Sequence, residues 1–232
     1  MRFGNRTLFA ALLALVLLPG LSAQATDEKD RVLRKLDVAA ANFKSTAAEF
    51  ELDSVTTDPL PDKTVEMGSI YYERTGNRFR IAGHTHTING KPVVKTYTFI
   101  NGAFSLFEGG NIDQVTTYAK ASQFESYMAL GFGASGKDLE AKWDIKYLGP
   151  ETLDAVKTEK LELVAKDPAV RKIFPRVTVW MDTERAISLK QVFDEGAGQY
   201  RVGVYFKIKV NQPLPSDAFT METNHQTTFV KR

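Results

Sequence analysis

Three histidines are the residues of this chain best suited to metal chemistry. His84 and His86 are separated by one residue, so they project from the same side of a strand, a spacing that a metal site could use. His225 is the third histidine, and no acidic or cysteine ligand is fixed near the pair in the sequence. We therefore expect solvated imidazoles and no bound metal, with a His-dependent metalloenzyme as an alternative.

Other catalytic patterns are missing from the sequence. There is no Gly-x-Ser-x-Gly elbow, and the carboxylates lie chiefly in predicted turns or on polar strand faces. The glycine-rich segment 131–136 resembles a phosphate loop only in composition, because no Lys-Ser or Lys-Thr pair follows it. We expect a binding protein without a cofactor rather than an enzyme.

Arg74 is the one charged residue with an unusual predicted position. A two-residue period places it on the same strand face as Ile70 and Tyr72, which are apolar. Because burying an unpaired guanidinium is costly, we expect Arg74 to donate hydrogen bonds to carbonyls at the end of a covering helix. The alternative is a strand-end arginine whose head lies in water.

The elements that would position Arg74 are strands with one apolar face. In residues 201–210 the even positions are all apolar, whereas most odd positions are polar. Residues 70–72 and 79–81 alternate similarly, so the sheet is predicted to present a wide hydrophobic concave surface. The predicted cavity-lining residues are Ile70, Tyr72, Phe79, Ile81, Val202, Val204, Phe206 and Ile208.

Two helices are predicted to lie on this surface. Apolar residues recur at intervals of three and four over residues 27–46, which predicts an amphipathic helix that gives way to a strand around Ala48. Asp167 and Pro168 predict the start of a short helix over residues 169–174.

A third helical segment is predicted within residues 117–130. Phe124, Tyr127 and Met128 have helical spacing there, and a loose glycine-rich segment follows them. This pattern predicts a short, mobile lid.

The sequence leaves two interpretations of the apolar surface open. In one, the helices fill it completely and nothing else binds. In the other, an apolar pocket remains, because few helices face a large sheet and the main one is rich in alanine. The alternation of side chains is the same in both.

Turn dipeptides divide the first half of the chain into hairpins. They are Gly76-Asn77, Asn89-Gly90 and Asn101-Gly102. The second half has predicted strands at residues 143–148, 159–165, 176–181, 186–193, 200–210 and 218–229. With about nine to eleven strands and little helix, the fold class is mainly β (α+β), an antiparallel meander curled toward a barrel.

The first 25 residues have the pattern of a secretory signal peptide. A positively charged start and a short apolar run precede an Ala-x-Ala arrangement at Ala23 and Ala25, which predicts cleavage before Thr26. An uncleaved tether is the alternative. Residues 26–232 would then form one soluble domain, and the complete lack of cysteine favours the periplasm over an extracellular, disulfide-bonded setting.

The charge balance argues against nucleic acid as a partner. The chain has 30 Lys and Arg against 28 Asp and Glu, and loss of Arg2 and Arg6 with the signal would make the domain formally neutral. A basic surface for nucleic acid or anionic headgroups is therefore not predicted.

Several segments together make the chain resemble the periplasmic outer-membrane lipoprotein carriers, the LolA-like or lipoprotein-sorting proteins. Arg74 matches the family arginine that contacts the lid and helps switch closed to open, although Thr75 stands where the family often has proline. The matching segments are residues 42–52, 68–74, 78–80, 100–102, 104–106, 177–182, 187–193, 200–210 and 215–219.

The resemblance implies an unclosed antiparallel β-barrel with a helical lid over a cavity for lipoprotein acyl chains. It implies a protein that receives cargo from an inner-membrane release complex and passes it to an outer-membrane acceptor. We expect the protein to be a monomer. A periplasmic lipid or lipoprotein sensor with the same fold is the alternative. A lipoprotein receptor would carry a lipidated N-terminal cysteine, which this chain lacks.

Overall fold

The computed structural model describes residues 20–76, 78–110, 113–121 and 124–232. Most of the predicted signal peptide lies outside the described residues, so cleavage before Thr26 stays a prediction. Among the described residues, no helix combines the length and the apolar character needed to cross a membrane.

Four helices and twelve strands are present in the described part of the chain. The helices are α1 (Gly20–Ala41), α2 (Glu125–Met128), α3 (Gly136–Lys142) and α4 (Pro168–Ile173). The first six strands are β1 (Ser45–Thr56), β2 (Asp62–Thr75), β3 (Arg78–Ile88), β4 (Lys91–Ile100), β5 (Ala103–Glu108) and β6 (Gln114–Tyr118). The others are β7 (Trp143–Leu153), β8 (Val156–Ala165), β9 (Arg176–Asp182), β10 (Ile187–Gly196), β11 (Gln199–Val210) and β12 (Thr228–Lys231).

All twelve strands form one sheet with the order β12-β6-β5-β4-β3-β2-β1-β11-β10-β9-β8-β7. Two antiparallel meanders, β1 to β6 and β7 to β11, meet where β1 pairs with β11. β7 and β12 are the edges and do not pair with each other, so the curled sheet stays unclosed. The predicted fold class is confirmed, although the sheet has one strand more than the predicted range.

The predicted Asn-Gly hairpins are confirmed. Asn89 and Asn101 have φ of 49° and 52°, and the glycine after each also has positive φ. Two consecutive residues with positive φ form the turn whose twist matches that of paired antiparallel strands. The β2–β3 and β7–β8 connections are similarly tight, with Thr75 opposite Arg78 and Leu153 opposite Val156.

α1 covers only one part of the inner face of the sheet. Val32, Leu36 and Ala40 are buried in a cluster with residues of β7 to β9 and α4. A second cluster forms around β1 to β4, where Phe50 and Ile70 are buried. Because α1 belongs to the first cluster, it leaves much of the sheet between β2 and β6 uncovered.

The predicted end of α1 at residue 46 is wrong, since the helix ends at Ala41 and β1 already begins at Ser45. The reason is a distant side chain. Asn211, which follows β11, accepts hydrogen bonds from the backbone N–H groups of Lys44 and Ser45 and donates to the carbonyl of Asn42. These bonds satisfy backbone groups at the helix end and align the first strand with β11.

α3 was not predicted, although its start carries a clear signal. The Ser135 hydroxyl accepts from the backbone N–H of Asp138, and the Asp138 carboxylate accepts from the backbone N–H of Ser135. This capping box lies in the segment interpreted above as a loose glycine-rich loop. The prediction for α4 is confirmed, with Asp167 capping the helix and Pro168 in its first turn.

The predicted strand at residues 218–229 is wrong, because only Thr228–Lys231 is a strand. β11 already pairs with β1 on one side and β10 on the other, so the next segment has no free neighbour there. It crosses the outer face instead, where the Ala218 carbonyl bonds His84 Nε2 at 2.9 Å and Phe219 lies under Arg80. The chain then reaches the free edge at β6, where β12 pairs in parallel.

Candidate functional site

The inner face of the sheet holds a cavity of about 910 Å³ between the strands and α2. Its wall is formed by β1 to β6 on one side and by β10 and β11 on the other. Most of the lining side chains are aliphatic or aromatic. They include Leu52, Val55, Ile70, Ile81, Tyr97, Phe104, Leu106, Tyr118, Phe124, Tyr127, Met128, Leu130, Phe132, Ile173, Phe174, Phe193, Tyr200 and Tyr205.

The strands create this lining by their two-residue period. In β4, Tyr97 points into the cavity and lies opposite Gly83 of β3 and Leu106 of β5. A Cβ atom at Gly83 would overlap the ring of Tyr97. Gly83 is therefore needed for the ring to lie against β3, and a larger residue would displace it.

The predicted lid residues Phe124, Tyr127 and Met128 all line the cavity. The lid helix itself is short, since α2 spans only Glu125–Met128 and residues 114–118 form β6. Tyr127 anchors it, stacking on Phe174 with ring centroids 4.5 Å apart and meeting Phe193 edge-on at 5.3 Å. The lid thus rests on the end of α4 and on β10.

A second, smaller cavity of about 300 Å³ lies on the other side of the segment that follows α2. Leu130 and Phe132 line both cavities and so separate them. Phe132 stacks on Tyr72 at 6.0 Å and meets Tyr205 edge-on at 5.3 Å. Arg74, Phe79 and Tyr72 line the small cavity.

Arg74 makes the type of contact expected from the sequence. Its Nη2 donates to the carbonyl oxygen of Gly133 at 2.6 Å, and its Nε donates to the Tyr72 hydroxyl at 3.3 Å. Gly133 lies in the segment between α2 and α3, with φ of 66°, and a Cβ there would overlap the ring of Phe43. The arginine therefore connects the end of β2 to the backbone that follows the lid.

The large cavity also has charged groups in its lining, which are two ion pairs and the exposed Lys120. Lys95 Nζ lies 2.9 Å from a carboxylate oxygen of Glu66, and Arg201 Nε lies 2.6 Å from a carboxylate oxygen of Glu195. Each carboxylate therefore has a cation beside it. The two pairs together carry no net charge, which suits a cavity for largely apolar molecules.

Tyrosines supply several of the uncharged polar groups of the cavity. Burial raises the pKa of Tyr97, Tyr127 and Tyr205 above the usual value of a phenol, so all three are neutral hydrogen-bond donors at physiological pH. The Tyr205 hydroxyl donates to Gln191 Oε1 at 3.3 Å, and Gln191 Nε2 donates to the Leu130 carbonyl. Among the described residues, no hydrogen-bond partner faces the hydroxyls of Tyr97 and Tyr127.

The structure divides the residues predicted to line a cavity. Ile70 and Ile81 line the large cavity, whereas Tyr72 and Phe79 line the small one. Ile208 packs into the core cluster of β1 to β4 and lines neither cavity.

The prediction that Val202, Val204 and Phe206 line the cavity is wrong, because these side chains lie on the outer face of the sheet. Val204 lies opposite Glu51 of β1 and Lys190 of β10, while the adjacent Tyr205 faces the cavity. A bulge at Lys207, which has φ of 51°, then shifts the register. The bulge reverses the alternation, so a single even-numbered apolar face does not exist in β11.

Sequence reasoning also missed Tyr97, Leu106 and Tyr205 as lining residues. The alternation of Lys95, Tyr97 and Phe99 with threonines was available as a signal in β4. In β11 no such signal existed, because both faces carry apolar or aromatic side chains on either side of the bulge.

His84 and His86 have structural partners, whereas His225 is exposed in a turn before β12. His84 bonds Thr96 Oγ1 through Nδ1 and the Ala218 carbonyl through Nε2, and His86 bonds the Ser69 hydroxyl. Within the described ranges, no group of three His, Cys, Asp or Glu side chains is placed to hold a metal ion. His84 thus contributes to attachment of the C-terminal segment.

No family model and no curated protein matches the sequence of this chain. Solved structures match its fold. An uncharacterized conserved protein from Thermus thermophilus has 9% sequence identity and a TM-score of 0.53, over 88% of this chain and 99% of that one. MucB has 11% identity and a TM-score of 0.50 over 89% of this chain, which spans 65% of the MucB chain.

A LolA superfamily protein from Nitrosomonas europaea is also similar, with 14% identity and a TM-score of 0.41 over 83% of this chain and 97% of that one. The structure has the unclosed antiparallel sheet with helices on its inner face that the sequence resemblance implies.

Proposed function

We propose that this protein is a periplasmic carrier that holds the acyl chains of lipoproteins in its large cavity and ferries them toward the outer membrane. The observation that carries the proposal is the cavity itself, with its apolar lining and aromatic lid. Its volume of about 910 Å³ lies within the range of roughly 300–1,000 Å³ that is usual for pockets that enclose a small molecule.

The driving force for binding would be the removal of hydrocarbon from water. Each buried CH₂ group contributes about 0.8 kcal/mol, so an acyl chain of ordinary length has a large gain from entering the cavity. Phe124, Tyr127 and Met128 of the lid would close over the chain. No covalent chemistry and no energy source are needed.

Release would depend on competition between cargo and the contact of Arg74 with Gly133. In the closed state this bond holds the segment that follows the lid. Cargo that enters beside Phe132 would displace that segment, so part of the binding energy would be used to break the bond. The reduced affinity would allow transfer to an acceptor.

The proposal includes one domain at residues 26–232 that acts as a monomer after removal of the signal peptide. The resemblance supports an inner-membrane release complex as the donor and an outer-membrane acceptor as the recipient. The paired carboxylates and the hydrogen-bond partners of His84 and His86 support a binding protein rather than an enzyme.

Native mass spectrometry of protein purified without detergent tests the binding step. We expect a bound lipid or acylated peptide on the wild type and its loss in Leu106→Trp, which places a large ring in the cavity from β5. Val204→Trp is the matched control on the outer face and should keep the ligand. Protein that carries stoichiometric metal and no lipid would instead support the metalloenzyme.

A transfer assay separates a carrier from a sensor. The protein should keep a synthetic triacylated peptide in solution without detergent and pass it to acceptor liposomes. Stable binding without transfer to liposomes or to an added acceptor would favour the sensor and contradict the carrier.

A further inference from the structure

Four tyrosines line the large cavity with hydroxyls that have no hydrogen-bond partner among the described residues: Tyr97, Tyr118, Tyr127 and Tyr200. Tyr118 is 41% exposed, whereas aromatic contacts hold the rings of Tyr97 and Tyr127 in fixed positions. Tyr97 belongs to the sheet and Tyr127 to the lid, so they lie on different walls of the cavity. Within the part of the chain that the structure describes, neither hydroxyl makes a hydrogen bond. Tyr205 differs, because its hydroxyl donates to Gln191.

Packing holds both rings in place. The ring of Tyr97 lies across Gly83 and stacks beside Phe104 with centroids 6.4 Å apart. The ring of Tyr127 is held between Phe174 and Phe193. Either ring would lose these contacts if it turned toward bulk water, so each hydroxyl keeps a fixed position in the cavity.

Three of the acceptor groups in the cavity lining already have a partner. The carboxylates of Glu66 and Glu195 are paired with Lys95 and Arg201, and Gln191 Oε1 accepts from Tyr205. The phenols of Tyr97 and Tyr127 both stay protonated, since burial opposes their ionisation. When hydrocarbon displaces water from the cavity, an unpaired hydroxyl becomes costly, so an acceptor on the ligand would be favoured.

We propose, on the basis of the lipid-binding function above, that Tyr97 and Tyr127 donate hydrogen bonds to the carbonyl oxygen of an acyl ester or amide. The cavity would then recognise the linkage between an acyl chain and its headgroup, in addition to the chain. Its preferred ligands are acylated glycerols or acylated amines, and an alkyl chain without a carbonyl binds less well. The two tyrosines are specificity-determining residues in this proposal.

Paired ligands of equal chain length test the proposal. Displacement of an apolar fluorophore is measured with a 1-monoacylglycerol, with the matching 1-O-alkylglycerol ether and with the matching N-acylethanolamine. We expect the wild type to bind the ester or the amide more tightly than the ether. The better of these two identifies the source of the carbonyl.

Tyr97→Phe and Tyr127→Phe should each weaken binding of the carbonyl ligand by about threefold to tenfold, which is typical for loss of one hydrogen bond. Binding of the ether should not change. Tyr71→Phe is the matched control, because Tyr71 packs against His84 on the outer face of the sheet and lines neither cavity. Thermal melting of each variant verifies that it is folded.

Three results would overturn the proposal. The first is an equal loss of affinity for ester, amide and ether in the Phe variants. The second is no loss of affinity in either Phe variant. The third is a wild type that binds the carbonyl ligands no more tightly than the ether. If the wild type still binds the ether in these cases, the lipid-binding function stands without the carbonyl preference. If it binds none of the three ligands, the proposed function itself fails and this inference with it.

Discussion

Arg74 and Gly133 are joined by a hydrogen bond of 2.6 Å between the guanidinium Nη2 and the backbone carbonyl. The bond links the end of β2 to the segment between α2 and α3, 59 residues later in the chain. Leu130 and Phe132, in the same segment, line both cavities. A single side chain is thus positioned to influence whether this partition stays in place.

Arg74→Leu should retain lipid at least as tightly as the wild type and transfer it more slowly. The substitution removes the bond that competes with cargo in the closed state. Loading and transfer to acceptor liposomes are measured side by side. Arg176→Leu is the control, since Arg176 pairs with Asp194 on the outer face. An unchanged transfer rate in Arg74→Leu would remove this arginine from the mechanism.

Phe206→Lys should leave folding and apolar-probe binding close to those of the wild type. Phe206 is opposite Glu49 on the outer face, where an ammonium group reaches water and a carboxylate. Tyr205→Lys, one residue earlier, should abolish probe binding because it places a charge in the cavity. The two variants are compared by fluorophore titration and melting, and equal effects on binding would contradict the assignment of faces.

Gly83→Ala should destabilise the protein by about 1–3 kcal/mol and weaken probe binding, because the new methyl group overlaps the ring of Tyr97. Urea unfolding gives the free energy of unfolding. Adding Tyr97→Ala to Gly83→Ala removes the overlap, so the two substitutions should be non-additive. Strict additivity of the two changes would mean that the ring does not lie against β3.

Leu36→Ala should lower the free energy of unfolding by about 2–5 kcal/mol, since Leu36 is fully buried between α1 and the sheet. Val38→Ala on the same helix is the control and should change stability by less than about 0.5 kcal/mol, because Val38 is 72% exposed. The folded fraction of both variants should still bind the apolar probe. Loss of binding in folded Leu36→Ala would mean that the cluster under α1 and the cavity are coupled.

The sequence by itself determined the local elements. Asn89 and Asn101 with their following glycines specify tight hairpins, and Asp167 with Pro168 specifies the start of α4. The spacing of Phe124, Tyr127 and Met128 predicted a helical segment over the sheet, and in the structure all three side chains line the cavity. These signals are short-range, because each depends on backbone conformations or side-chain spacing within a few residues.

The tertiary structure decided which faces those elements present. The bulge at Lys207 arises in the pairing of β1 with β11, so Val202, Val204 and Phe206 before it lie on the outer face while Ile208 after it packs into the core. Asn211 ended α1 through a bond to Asn42, 169 residues away in the chain. The lack of a free edge beside β11 directed residues 218–229 across the sheet.

Tertiary packing also decided whether the apolar face of the sheet is filled by helices or lines a cavity. Alternating side chains require that one face of the sheet be shielded from water, but they do not state what shields it. α1 packs over β7 to β9 and shields that part with its own side chains. Over β2 to β6 the cover includes α2 and the segment after it, where Phe132 stacks on Tyr72, and the same alternation encloses a cavity there.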